Sequence, residues 1–306
     1  MNKTFYIYGH THKGMVREIN EDHILLGRFI KNSGGMGMVF ASDDDFMQDQ
    51  GMLFAVADGI GGENSGETAS KMALKAFEYQ FYSREKKDLD LNAYIEIIES
   101  AGKRANDTLL RISQDNPGTA GMGCTITGVC LIPSGYLVYN AGDSRVYRYR
   151  NGILKTLTND DTVASQAVQS GQMSFRQAEE SHQRHTLTNS LGTASFNLRV
   201  KKGPELLEGD MILICSDGLH GLVDHDRLES LLNPNESAET NVLKFLQEAL
   251  HKGGIDNISV IVLVLKTIEK ENSKKNNEEA KEVAGTSENS QQEEKTRDHK
   301  VEVQHE

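Results

Sequence analysis

Three aspartates stand beside apolar runs, each next to a glycine or a small polar residue. Asp58 closes Phe54-Ala55-Val56-Ala57 and is followed by Gly59-Ile60-Gly61-Gly62. Asp217 closes Ile214-Cys215-Ser216 and precedes Gly218, and Asp256 sits between Gly253-Gly254-Ile255 and Asn257-Ile258. A carboxylate at a strand end is held by a rigid element yet points out of the core, and glycine neighbours let backbone approach an ion or a phosphate closely. Singly, each is as well explained as a turn aspartate. Together they raise a second reading, convergence on a metal, and the residues leave both open. All-oxygen donors favour Mg²⁺ or Mn²⁺ over Zn²⁺. The ten histidines show no H-E-x-x-H spacing, which argues against a zinc site.

The elements that must position these residues are legible from periodicity. Extended segments are expected at Phe5 to Tyr8, His23 to Leu26, Met52 to Ala57, Cys124 to Ile132, Tyr136 to Ala141, Arg145 to Arg150, Met211 to Cys215 and Ile258 to Leu265. Pro133-Ser134-Gly135 and Gly142-Asp143-Ser144 supply turns between three of them. Ile258 to Leu265 is apolar on both alternating faces, so it is expected to be buried on both sides. Helical spacing links Ala69, Met72, Ala73, Ala76 and Phe77. It also links Tyr94, Ile97, Ile98, Ala101, Ala105, Leu109 and Ile112, and finally Ala238, Val242, Phe245, Leu246 and Leu250. A helix pair followed by a run of hairpin-linked strands argues for α+β with antiparallel sheets. The glycine-rich Ser33-Gly34-Gly35-Met36-Gly37 lacks a following Gly-Lys-Ser/Thr and reads as a flexible hairpin loop rather than a phosphate loop.

Composition bounds the function. The net charge of -12 removes any broad attraction to nucleic acid or an anionic membrane. Cys124, Cys130 and Cys215 lie in apolar runs and read as buried thiols of a reducing compartment. No apolar run reaches membrane-span length and the first residues lack a signal-peptide core, so a cytoplasmic location is expected; a monomer is expected as well. The composition changes near Lys266: beyond it Lys, Glu, Asn, Ser and Gln dominate and aromatics are absent. The expected organisation is a domain over 1–267 and a disordered charged tail over 268–306.

Six blocks, in order, resemble the protein phosphatase 2C family of metal-dependent PPM phosphatases, in its bacterial form. They are Arg17-Glu18-Ile19-Asn20-Glu21-Asp22, Ala57-Asp58-Gly59-Ile60-Gly61-Gly62, Met122-Gly123-Cys124-Thr125, Gly142-Asp143-Ser144-Arg145, Cys215-Ser216-Asp217-Gly218-Leu219 and Asp256-Asn257-Ile258. The resemblance implies a four-layer αββα sandwich, two antiparallel sheets flanked by helix pairs. It implies two core Mn²⁺ or Mg²⁺ ions and a weaker third. Asp58 would bridge the core pair, the Gly59 carbonyl would ligate one ion, and Asp217 and Asp256 would complete the first site. Glu21 matches the acidic ligand of the second site, Asp22 would hold its waters, and Asp143 with Asp217 matches the third. Arg17 matches the residue that grips the substrate phosphate. The implied reaction is hydrolysis of phosphoserine and phosphothreonine in proteins by a metal-bridging water or hydroxide, opposing a Ser/Thr protein kinase.

The chain departs from the pattern in two places. Ile60 stands where eukaryotic members carry a histidine proposed as general acid, so the group that protonates the leaving oxygen is not identified. Asp161, in Thr158-Asn159-Asp160-Asp161, stands where a histidine is common. The segment from Thr162 to Ser190 is expected to form a mobile flap, with His182, Arg184 and His185 in structural roles. Two rival functions remain: a catalytically inactive scaffold, against which Glu21, Asp58, Asp217 and Asp256 all argue, and a two-metal hydrolase of another phosphoester. The acidic charge and the lack of a basic stripe count against nucleic acid as that substrate.

Overall fold

The computed structural model describes residues 2–61 and 65–268. Gly62 and residues 269–306, most of the expected tail, lie outside the described residues. The chain divides into a unit of Thr4–Lys266 and a second unit of Met1–Lys3 with Thr267–Glu306. The second unit is described only at four residues, which end the first and last strands.

In chain order the elements begin with β1 (Asn2–His12), β2 (His23–Leu26), β3 (Phe29–Lys31) and β4 (Gly34–Ala41). A short helix, α1 (Asp45–Gln50), leads to β5 (Met52–Ala57), β6 (Gly59–Ile60) and the helix pair α2 (Ser65–Tyr82) and α3 (Leu91–Asp115). Next come β7 (Gly123–Cys124), β8 (Ile126–Ile132), β9 (Gly135–Ala141), β10 (Arg145–Arg150) and β11 (Ile153–Thr156). Two small helices, α4 (Val163–Gln169) and α5 (Phe175–Glu179), precede β12 (Arg199–Lys202) and β13 (Met211–Cys215). The unit closes with α6 (Asp217–His220), α7 (His225–Leu231), α8 (Ala238–His251) and β14 (Ile258–Ile268).

Two six-stranded sheets form, ordered β11-β10-β13-β14-β1-β4 and β12-β9-β8-β5-β2-β3, with β6 and β7 as a separate small ladder. The strand alternation explains the layering. In β5, Leu53, Ala55 and Ala57 join the apolar cluster with α2 and α3, whereas Phe54 and Val56 join the cluster between the sheets. In β14, Ile261, Leu263 and Leu265 face that inter-sheet seam, and Val260, Val262 and Val264 pack with Val242 and Phe245 of α8. Three apolar seams therefore separate four layers, helices, sheet, sheet, helices, as the resemblance implied. Each long helix buries the stripe its spacing predicts, and α3 and α8 are capped. Asp90 accepts from Ala93 N–H at the start of α3, and Ser237 accepts from Thr240 N–H at the start of α8.

The glycine-rich stretch is not a loop. Gly34–Ala41 is strand β4, paired antiparallel with β1 from Thr4 to Thr11. The glycines there make room for the Tyr8 ring, which lies across the strand: a Cβ on Gly35 would come 2.1 Å from the Tyr8 hydroxyl, and the ring would have to move. The flap segment also holds more regular structure than its sequence suggests. Ser174 and Gln177 form a reciprocal capping box on α5.

Antiparallel register places the predicted residues on one edge. His23 pairs with Ala57, so Asp22 and Asp58 lie side by side beyond β2 and β5. Arg145 and Val260 both pair with Cys215, which gathers the 142–144 turn, Asp217 and the 256–257 turn beyond β10, β13 and β14.

Candidate metal centre

The two edges are stitched together by short polar side chains. Ser216 Oγ donates to Asp22 Oδ2 at 2.8 Å, linking one sheet to the other. Asp58 N–H donates to Thr125 Oγ1 at 3.1 Å, and that hydroxyl meets Ser144 Oγ at 2.8 Å. Asn257 holds the loop after β1: it accepts Glu21 N–H at 2.8 Å and donates to the carbonyls of Lys13 and Ile19. That loop carries Arg17 and Glu21, so one buried amide fixes two candidate site residues.

Within this frame Arg17, Glu21, Asp58, Gly59, Asp143, Asp217 and Asp256 line one cavity of about 640 Å³. Asp22 is the predicted site residue outside the lining. It is fully buried beneath, and its Oδ1 has no hydrogen-bond partner. Arg17 Nη2 bonds Asp256 Oδ2 at 2.9 Å while the guanidinium stays half exposed. Gly59 is held so tightly that a Cβ there would lie 2.2 Å from the Gly66 carbonyl oxygen and 2.7 Å from that of Glu21.

Crowded carboxylates in a buried site resist ionisation. Burial, then the charges of Asp22, Asp217, Asp143 and Asp256, hold the Asp58 carboxyl well above the usual range. Burial first, then Asp217, push Asp143 up to about 8. Asp22 is raised to about 7 by burial, with Asp217 and Asp256 adding to it against the hydroxyls of Ser216 and Ser259. Asp217 goes the other way. Burial pushes it up, but the neighbouring His185, with His220 and Asp58 close by, holds it below the ordinary value. Arg17 is raised: burial opposes its charge, and the hydrogen bond and charge of Asp256, with Glu21 and Asp58, outweigh that.

Does this donor set suit a divalent cation? A cation would offset the repulsion that holds these carboxyls up, and the buried Asp22 Oδ1 is an oxygen ligand atom without a partner. Ligand atoms of Asp143, His185 and Asp217 all fall within 4.8 Å of one another. The residues present fit hard cations. The sequence does hold one H-x-H pair, His10 and His12. Their rings are 6.4 Å apart in β1 and His12 Nδ1 accepts Gly14 N–H, so they belong to the strand and its turn.

Several residues around the site carry no sequence signal. His185, expected to be structural, lines the cavity with Nδ1 3.6 Å from Asp217 Oδ2. His220 is half-buried, its pKa lowered to about 4 by burial first, and it donates Nε2–H to the Asp143 carbonyl at 3.0 Å. Asp161 accepts Gly142 N–H at 3.0 Å, Asn189 Nδ2 at 2.8 Å and the Arg199 guanidinium, and its own N–H bonds the Gly142 carbonyl. It thus ties both ends of the flap to the turn bearing Asp143. No motif marks His185 or His220, because each is defined by a partner distant in sequence.

Comparison with known proteins agrees with this geometry. A family model described as Protein phosphatase 2C matches residues 41–252. A protein phosphatase 2C-type protein of Streptococcus pyogenes is 30% identical over 214 residues, 69% of this chain and 85% of that protein. The serine/threonine protein phosphatase PstP of Mycobacterium tuberculosis is 29% identical over 226 residues, 74% of this chain, and the match spans 43% of that relative's length. A crystal structure of the PPM Ser-Thr phosphatase MsPP of Mycobacterium smegmatis, in complex with cacodylate, is 30% identical with a TM-score of 0.66, covering 84% of this chain and 97% of that one.

Proposed function

The chain belongs to the protein phosphatase 2C family, and from that membership we propose that it hydrolyses phosphoserine and phosphothreonine in proteins, with Mn²⁺ or Mg²⁺ as cofactor. The observation that carries the reading is the convergence of Arg17, Glu21, Asp58, Asp143, Asp217 and Asp256 on one cavity from segments as far apart as residues 17 and 256. Asp58, Gly59, Asp217 and Asp256 would hold one ion, Asp58, Glu21 and Asp22 a second, and Asp143 with Asp217 a weaker third. When bound, such ions supply positive charge and a water acidic enough to serve as a nucleophile at neutral pH.

The protein's own groups do the remaining work. Arg17 keeps its charge and, with one guanidinium nitrogen committed to Asp256, presents its other donors to phosphoryl oxygens. The Asp256 contact also fixes the guanidinium plane, so little side-chain entropy is lost when phosphate arrives. Ile60 at the mouth has no proton to give, and the leaving oxygen must take its proton from water or another group. No covalent intermediate on the protein is required. The natural substrates are phosphoproteins made by a Ser/Thr protein kinase that this enzyme opposes, acting as a cytoplasmic monomer. Among the described residues no helix is long and apolar enough to cross a membrane.

The test is turnover of p-nitrophenyl phosphate and a phosphothreonine peptide with Mn²⁺ and with EDTA. Activity with Mn²⁺ and none with EDTA is expected. Inactivity under both conditions would favour a scaffold, and activity confined to nucleotides would favour a different phosphoester hydrolase.

A further inference from the structure

Two exposed aliphatic side chains line the cavity, and three more lie on the loop that carries Arg17 and Glu21. Thirteen large apolar side chains are exposed among the described residues, and five of them lie on three segments that carry site residues. They are Met15 (69% exposed), Val16 (65%), Ile19 (38%), Ile60 (38%) and Ile255 (58%). Ile60 and Ile255 line the cavity directly. Met15 N–H bonds the Gly254 carbonyl at 2.7 Å, and a Cβ on Gly254 would stand 3.1 Å from Met15 Cγ, so Met15 rests on the turn that bears Ile255. The Arg17–Asp256 pair is the immediate neighbour of both segments. Scattered exposed aliphatics are ordinary, but a cluster contiguous with a polar cavity marks a contact surface.

From this arrangement we propose that the rim is a specificity surface, and that it selects phosphoprotein segments carrying aliphatic residues beside the phosphorylated side chain. The inference rests on the phosphatase reading and names a substrate class for it. Two features favour this occupant. The rim is continuous with the phosphate-facing Arg17, so an extended segment whose phosphate meets Arg17 must cross it. The aliphatic rim would strip water from an acidic flanking residue without giving its charge a partner, so it favours aliphatic neighbours over acidic ones. The chain's own residues 269–306 suit the rim poorly, because Val283, Val301 and Val303 are their only large aliphatics, each flanked by polar or small residues.

The test uses the full chain with Mn²⁺ and phosphothreonine peptides identical except for the two residues flanking the phosphothreonine, set to Leu, Ser or Asp. The expected order of kcat/KM is Leu, then Ser, then Asp, with Leu over Ser by about five- to tenfold, the size of covering part of one or two aliphatic side chains. In Met15→Ser and Ile255→Ser, the Leu-to-Ser ratio should fall toward one, each rate being referenced to that variant's own turnover of p-nitrophenyl phosphate. A wild-type ratio within twofold of one overturns the proposal, as does a ratio unchanged in both variants. Turnover of p-nitrophenyl phosphate with no flanking preference sinks this inference alone. Absence of turnover on every phosphoester removes the phosphatase reading, and this inference with it.

Discussion

Replacing Asp22 by Asn should make the metal-free protein more stable. Asp22 is fully buried, and burial together with Asp217 and Asp256 lifts its carboxyl from an ordinary 3.8 to about 7. The folded protein therefore keeps a proton that the unfolded chain has lost above about pH 4, so wild-type stability drains away as pH climbs from about 4 to about 7. At pH 8 the gap between 3.8 and about 7, at about 1.36 kcal/mol per pH unit, sets a ceiling of about 4 kcal/mol on that loss. Asn is isosteric and uncharged, and its carbonyl can still accept the Ser216 hydroxyl. Its amide takes the place of the unpartnered Oδ1, an unsatisfied buried group that costs about 1–2 kcal/mol. The net gain at pH 8 is about 2 kcal/mol, or about 4–8 °C in Tm. At pH 5 the ceiling shrinks to less than half of its value at pH 8 and the gain should vanish. Thermal melts in EDTA at both pH values measure this, and melts with Mn²⁺ should reverse the order, because the wild type gains more from the cation. A variant that melts at or below wild type in EDTA at pH 8 would refute the account of a cluster strained by its own charge.

Asp58→Asn should lower kcat at least about a hundredfold while far-UV and near-UV circular dichroism stay native, because a central charge is lost at a polar site; retained turnover would count heavily against the assignment. Arg17→Ala should raise KM for a phosphopeptide about ten- to a hundredfold, the worth of a charge-assisted hydrogen bond, and an unchanged KM contradicts its phosphate role. Arg199→Gln should cost about 2 kcal/mol, read as a Tm fall of about 4–8 °C, because it strips the guanidinium from buried Asp161 while the partly exposed setting of Arg199 softens the loss. The same melt on Asp161→Asn/Arg199→Gln should recover part of that fall, since no buried charge is then left unpaired.

Much of the fold was legible because strand and helix periodicities are local. Met52–Ala57, Arg145–Arg150 and Met211–Cys215 form strands over the ranges their apolar patterns mark. Where the pattern failed, a partner elsewhere decided: the stretch from Ser33 to Gly37 looks like a loop until the Tyr8 ring and the β1 ladder occupy the space its glycines leave. The acidic residues announced themselves through glycine neighbours and strand ends, whereas His185 and His220 gave no such sign, since one comes from the flap and the other is recognised only by the carbonyl it holds.

The sequence by itself determined which residues carry charge, which runs must be buried, and the order in which six acidic and glycine-rich blocks follow one another. Only the tertiary structure decided that these blocks meet. Antiparallel registers such as His23 with Ala57 and Arg145 with Cys215 bring strand ends 34 and 70 residues apart to the same edge. Burial there turns ordinary carboxylates into groups that cannot all ionise without a cation. That property belongs to their distances and to the excluded water, and no single stretch of chain contains it.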